Sequence, residues 1–439
     1  MYRCIDVSMC RCVDAYGGDV GRVSFGGKNR IQTKQSKPML DTFKKSIQFA
    51  PVGGVVGNLL IGRGVLEQAS AHVAVIENRI ASGALGVVEC DKLSSLFKVA
   101  AAQKAAIVLY IDSAGARVSE GLPALGAFRR MYASALKASL AGAPMIAVIG
   151  TNCFGGASML AALCGARYYS AQARLAMSGP SILAAANGVS AIDAAFHAMA
   201  EASIGALGRT QLDSLKERDF GVLALPEIDA PRWRHDALVS RLRAAGQMVS
   251  LVSGAGDAIR RKDLALLYSE GYELSQQDGI VVGIANVDHQ QIRLLGTLDK
   301  RPITALRASM LTEQILALQR SPPARLDILM DCETHSAALN DEKVMLSSFL
   351  STLSQVLMNL RNAGTLVQTI VLGRLGGGIY VSLAAASSEV NIVHGGEIQL
   401  LPAKTIAAIL GENSPSTACF DDYRHAGVAE REIKLGMTA

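Results

Sequence analysis

The chain carries one pattern twice, and that repetition restricts its fold more than any other feature. The run Ala141-Gly-Ala-Pro-Met-Ile-Ala-Val-Ile-Gly150 leads into Thr151-Asn-Cys-Phe-Gly-Gly-Ala-Ser-Met-Leu-Ala-Ala-Leu163. The run Ala363-Gly-Thr-Leu-Val-Gln-Thr-Ile-Val-Leu-Gly373 leads into Arg374-Leu-Gly-Gly-Gly-Ile-Tyr-Val-Ser-Leu-Ala-Ala-Ala386. Each reads as an apolar strand, a glycine turn and an Ala/Leu-rich helix. Each also follows a strand that ends in an acid, at 107–112 and 326–331. Gly155 recurs as Gly376, 221 positions on, and Asp112 as Asp331, 219 positions on. A nearly constant shift over a whole unit marks an internal duplication, so two similar α/β domains are expected.

The glycines have a physical task in such a unit. A helix start exposes unpaired N–H groups and the positive end of the helix dipole. Gly-Gly lets an oxygen approach those groups with no Cβ in the way. Strand, Gly-Gly and helix together make a cradle for an anion or an enolate oxygen.

Composition bounds the class. Of 439 residues half are hydrophobic, only 18% are charged and 42 are glycine, which suits a packed chain of two or three domains. The net charge of +5 comes with no Lys/Arg stripe interleaved with aromatics, so nucleic acid is not an expected partner. The longest uncharged stretch, between Lys137 and Arg167, is long enough to span a bilayer, but Pro144, Asn152 and Gly155-Gly156 interrupt it. It reads as a buried strand plus a helix start, and no membrane span is expected. The first residues hold Arg3, Asp6, Arg11 and Asp14 rather than an apolar signal, and the eight scattered cysteines fit a reduced, cytoplasmic setting. Cys4, Cys10 and Cys12 lack a fourth ligand at metal spacing, so no metal site is expected.

Three segments follow from these signals. Residues 1–51 are a basic extension with Arg22, Lys28, Arg30, Lys34, Lys37, Lys44 and Lys45, either a solvated tail or a docking surface for an acidic partner. Residues 52–246 form the first domain and 257–439 the second, with the connection falling at 226–256, around two prolines and Trp233. Strands are expected at 72–76, 107–111, 279–283 and 291–295, and helices at 92–102, 124–140, 236–245, 309–320 and 342–360.

With these motifs in view, the chain resembles the carboxyltransferase-like branch of the crotonase superfamily, and within it the β and γ subunits of biotin-independent malonate decarboxylase joined in one polypeptide. Asp112-Ser-Ala-Gly-Ala-Arg117 with Glu120, then Cys153-Phe-Gly-Gly156, then Ser178-Gly-Pro180 are similar to the family's β-subunit motifs in order and spacing. Residues 373–384 resemble the γ subunit's glycine segment, and Lys404 falls where that subunit has a lysine. The resemblance covers about 52–420 and implies an α/β fold of two tandem crotonase-like β/β/α domains with the site between them. It implies a reaction as well: a malonyl thioester on coenzyme A or on the phosphopantetheine-type arm of an acyl carrier protein loses CO2 and becomes an acetyl thioester. No permanently bound cofactor is implied. An acyl carrier protein is the expected partner and a homo-oligomer the expected assembly. Biotin-dependent carboxyl transfer, as in acetyl-CoA carboxylase, is the alternative, and a catalytically silent carrier-protein scaffold the third reading.

The resemblance assigns roles residue by residue. Gly115, Ala116, Gly155 and Gly156 would supply the oxyanion hole; Arg117, Ser178, Gly179, Gly376, Gly377, Gly378 and Lys404 would bind substrate. A side chain at Gly156 is expected to block the enolate oxygen. The sequence also departs from the family's pattern. Cys-Glu-Thr-His-Ser-Ala follows Asp331 where a Pro- and Gly-containing turn is usual, and Ser181 replaces a Glu after Ser178-Gly-Pro180. The first domain is therefore expected to hold the thioester oxygen, and the second to shape the carboxylate pocket. His335 and His394 are proton-donor candidates ahead of His197. Arg117 has a second reading, a tie on its own loop with Glu120 as partner, and Cys153, without a base, reads as a packing residue.

Overall fold

The computed structural model describes residues 36–188, 193–212, 223, 230–248, 257–401, 406 and 418–436. The first half runs α1 (Ser36–Ser46), β1 (Ala50–Pro51), β2 (Leu59–Leu66), β3 (Ala69–Ile76), α2 (Val87–Gln103), β4 (Ala106–Ser113), α3 (Gly121–Leu140), β5 (Met145–Phe154), α4 (Gly156–Leu163), β6 (Ala166–Tyr169) and β7 (Arg174–Ala176). Helices α5 (Pro180–Ala186), α6 (Ala194–Ile204), α7 (Ala206–Leu212) and α8 (Pro231–Ala244) follow. The sheet order is β1-β2-β3-β4-β5-β6, with β7 beside the end of β5. Strands β2 and β3 form an antiparallel hairpin, and β3 to β6 run parallel.

The second half contains β8 (Asp257–Ala258), α9 (Lys262–Leu267), β9 (Tyr272–Gln277), β10 (Ile280–Val287), β11 (Gln290–Lys300), α10 (Ala305–Leu318), β12 (Arg325–Cys332), α11 (Leu339–Lys343), α12 (Leu346–Asn362), β13 (Leu366–Val371), β14 (Arg374–Gly376), α13 (Gly377–Ala386), β15 (Glu389–Val393) and β16 (Glu397–Gln399), then a helix Phe420–Ala426 and β17 (Arg431–Ile433). Its larger sheet is ordered β17-β15-β13-β12-β11-β10-β9-β8. The hairpin β10–β11 and the parallel strands β12, β13 and β15 repeat the order and sense of β2–β3, β4, β5 and β6. The duplication is thus visible as topology.

Strand alternation builds the layers. On β4, Ile107, Leu109 and Ile111 join a large core that also holds Ile328 and Met330 of β12 and nearly every apolar residue of α12. Val108 and Tyr110 face the other way, into a smaller core. Helices α3 and α4 of the first half pack against α12 and α13 of the second, so the helices form the middle and the sheets the outside. Helix α12 is buried on nearly every face, and two of its hydroxyls are satisfied inside, Ser351 on Met159 O at 2.9 Å and Ser354 on Leu350 O at 2.9 Å.

Three segments differ from the sequence expectation. The helix expected over 342–360 is two helices broken at Val344 and Met345, where Met345 takes φ +66° and its N–H closes on Glu342 O at 2.8 Å. Residues 226–256 do not simply join the halves: α8 packs on both, through Arg234 to the carbonyl of Ala162 and Arg241 to that of Val344. Within 1–51, helix α1 packs onto the first sheet, with Phe43 and Ile47 fully buried. Arg22, Lys28, Arg30, Lys34 and the three N-terminal cysteines lie outside the described residues, and Lys44 pairs with Glu77 at 3.4 Å.

Candidate active site

Two acids prepare the cradles. Asp112, at the end of β4, is buried and accepts the N–H of Asn152 at 3.1 Å; burial raises its pKa. Asp331, at the end of β12, accepts the N–H of Arg374 at 3.2 Å. Both carboxylates fix the strand that enters a glycine turn, which is a structural task.

The strand registers set which glycines correspond. Asn152, Cys153 and Phe154 pair with Arg174, Leu175 and Ala176, just as Arg374, Leu375 and Gly376 pair with Glu397, Ile398 and Gln399. Gly155 (φ +57°) therefore matches Gly377 (φ +59°), and Gly156 matches Gly378. The offset at the turn is 222, one more than the glycine runs suggest. The other loop is matched by a parallel bridge, Leu85 to Ala116 in the first half and Ile303 to His335 in the second. Ala116 thus corresponds to His335, and Gly115 to Thr334.

In the first cradle these loops meet. Gly115 has φ +97°, and a methyl group there would stand 2.9 Å from Phe154 O and 3.3 Å from Gly156 N. Its lack of a side chain leaves Gly156 N–H uncovered. Gly115 N–H bonds Ser113 Oγ at 3.1 Å, its carbonyl accepts from Leu85 N at 2.7 Å, and Gly155 N–H bonds Ala176 O at 3.1 Å. Among the described residues, neither Ala116 N–H nor Gly156 N–H has an acceptor. Of the four residues assigned to the hole, two retain free donors and two make the space.

Gly156 itself needs a correction. A Cβ on it would press into the ring of Phe128, in the core, and not into the cradle. The position at which a side chain covers the donor is Gly115.

Other assignments also resolve into structure. Arg117 bonds Glu89, Glu120 at 2.6 Å and the carbonyl of Ala84 at 2.9 Å, so its guanidinium ties down its own loop. Ser178 N–H is taken by Glu342 Oε1 at 3.1 Å, alongside Met177 N–H at 2.8 Å. Gly179 caps α5 beside the Phe154 ring. Lys404 lies outside the described residues. Cys153 is buried with its thiol pKa raised well above the ordinary value. His197 is exposed on α6, and His394 is exposed and bonded to Glu432 at 2.7 Å.

The second cradle is arranged differently. His335 Nδ1 accepts the N–H of Gly378 at 3.0 Å, and Thr334 Oγ1 lies 3.1 Å from the same nitrogen and donates to Gly376 O at 3.3 Å. Burial pushes the His335 pKa down to about 4, so the ring is neutral near pH 7, and the bond from Gly378 N–H puts the lone pair on Nδ1 and the ring proton on Nε2. That removes its Nδ1 as a proton donor. The two turns face each other across the halves: a Cβ on Gly378 would strike Met177 and sit 3.2 Å from Met159 Sδ. Sequence reasoning missed Glu342. Fully buried, it pairs with the equally buried Arg209 at 3.3 Å and ties 177–178 to α11. Burial lifts its pKa to about 7, against the downward pull of Arg209 and the two N–H groups.

Comparison with known proteins gives partial matches. Residues 45–219 match the carboxyl transferase domain. The methylmalonyl-CoA carboxyltransferase 12S subunit of Propionibacterium freudenreichii subsp. shermanii is 28% identical over 138 residues, 31% of this chain and 25% of that protein. The acetyl-coenzyme A carboxylase carboxyl transferase subunit beta of Levilactobacillus brevis is 29% identical over 96 residues, 22% of this chain and 35% of that protein. The chain thus spans about a quarter to a third of the length of these relatives. A Pseudomonas malonate decarboxylase hetero-tetramer solved with malonate aligns over 49% of this chain and 91% of its own, at 21% identity and a TM-score of 0.41. The fold is the mixed α/β one expected from the motifs, with the strand order of the first half repeated in the second. Among the described residues no helix is long and apolar enough to cross a membrane.

Proposed function

We propose that the chain decarboxylates a malonyl thioester without biotin. The bond between the α-carbon and the carboxyl carbon breaks, CO2 leaves, and the electron pair passes onto the thioester oxygen as an enolate. A proton then adds to the α-carbon and gives the acetyl thioester. The observation that carries this reading is the pair of free donors, Ala116 N–H and Gly156 N–H, in a loop contact kept open by Gly115. Donors already aimed at a developing oxyanion are worth about 2.7–4 kcal/mol each in barrier. The acyl arm is coenzyme A or an acyl carrier protein; likeness to a methylmalonyl-CoA carboxyltransferase subunit and an acetyl-coenzyme A carboxylase subunit favours a coenzyme A thioester.

The same likeness favours a second reading, biotin-dependent carboxyl transfer. Mass spectrometry of malonyl-CoA and malonyl-carrier protein, with and without biotin, tells them apart. Release of CO2 with no biotin present is expected. A thioester that stays intact until biotin or a biotinyl protein is added would overturn the proposal.

A further inference from the structure

We infer that Thr334 and His335 close the second cradle and so determine specificity: the chain can stabilise one oxyanion, not two. The inference rests on reading the first cradle as the oxyanion hole. The two cradles share strand register, turn conformation and bridge, so they differ by side chains at two matched positions. Where Gly115 leaves space beside Phe154 O and Gly156 N, Thr334 places a hydroxyl against Gly376 O. Where Ala116 leaves Gly156 N–H free, His335 turns an imidazole onto Gly378 N–H at 3.0 Å. A lone pair of the protein's own ring occupies the donor that a substrate oxygen would need. With His335 7% exposed and Gly378 packed against Met177 and Met159, no second acceptor shares that donor without displacing the ring.

The chemical consequence separates two reactions. In carboxyl transfer, the N–CO2 bond of a carboxylated carrier breaks and charge gathers on the carrier's oxygen. The acceptor thioester loses an α-proton and gathers charge on its own oxygen before the new C–C bond forms. Each oxygen needs donors. Decarboxylation develops charge on the thioester oxygen alone, and one open cradle suffices.

The test reads the second cradle directly. In full-length protein, formate as a small probe anion is titrated while the Gly378 amide resonance is followed by NMR, in the wild type and in His335→Ala. We expect no shift in the wild type and a saturable shift in the variant. A shift in the wild type, or none in a folded variant, overturns the closure. The nitrogen spectrum of wild-type His335 is an independent check should His335→Ala not fold: Nδ1 must be unprotonated, and a proton on Nδ1 overturns the inference. Neither readout uses turnover, so a chain that fails to decarboxylate can still show a closed second cradle, and the two proposals fail separately.

Discussion

Glu342 of α11 accepts the N–H of Ser178 across 3.1 Å, so an acid from the second half fixes the loop that follows the first cradle. The same carboxylate faces Arg209, and neither side chain is exposed at all. Such a pair adds little net stability over apolar packing, but removing one partner leaves a charge in a dry interior. Glu342→Gln can still accept the two N–H groups through its amide oxygen. Above pH 8, where an acid of pKa about 7 is ionised, we expect it to lower unfolding free energy by about 3–5 kcal/mol through the lost counter-charge. Urea denaturation checks this, and an unchanged midpoint would refute it.

Gly115→Ala should act on chemistry. It forces a side chain into φ +97° and puts a methyl 3.3 Å from Gly156 N. Turnover of the malonyl thioester should fall by at least about a hundredfold. Gly156→Ala should act on packing, through Phe128, at a cost of about 1–3 kcal/mol. Paired kinetics and thermal melts of both variants decide the matter; near-normal turnover in a folded Gly115→Ala would sink the oxyanion reading.

Arg117→Met probes the loop clamp. Glu89 is buried, and losing its cation and hydrogen bonds should cost roughly 1–3 kcal/mol. The KM of the folded variant should stay at the wild-type value. A rise in KM with stability unchanged would restore Arg117 to substrate binding.

The pH dependence of stability reports on His335. Its pKa is about 4 in the fold against 6.5 for the ordinary group, so the unfolded chain takes up the proton first as pH falls. Its stabilising contribution is complete above pH 6.5 and is lost as pH falls through 6.5 toward 4. The difference in melting temperature between wild type and His335→Asn should therefore narrow over that interval. A difference that stays constant would show that the ring is not held neutral.

The repeat was legible because an apolar strand, a glycine turn and an Ala/Leu-rich helix leave the same trace wherever they occur. The pairing of the glycines was not. Three glycines at 376–378 can be laid over two at 155–156 in more than one way, and only the β14–β16 register together with the φ of Gly377 decides. The Thr334-His335 departure was visible in the sequence, but what it fills needed coordinates. Glu342 and Arg209 are 133 positions apart, and no periodicity links them. The break at Met345 escaped notice because apolar spacing runs straight through it.

Helix α1 has a consequence for how the molecule behaves among its own copies. Phe43, its ring centroid 5.3 Å from that of Tyr110 and tilted by 38°, and Ile47 cover Val73, Val75, Val108 and Val148 on the outer face of the first sheet. A chain trimmed to begin at 52 would carry that face bare, a flat apolar plate able to meet its like in a neighbouring molecule. Colloidal behaviour would then suffer before either cradle was touched. A short helix outside both repeats thus keeps this one face from adhering to the same face of a neighbouring molecule.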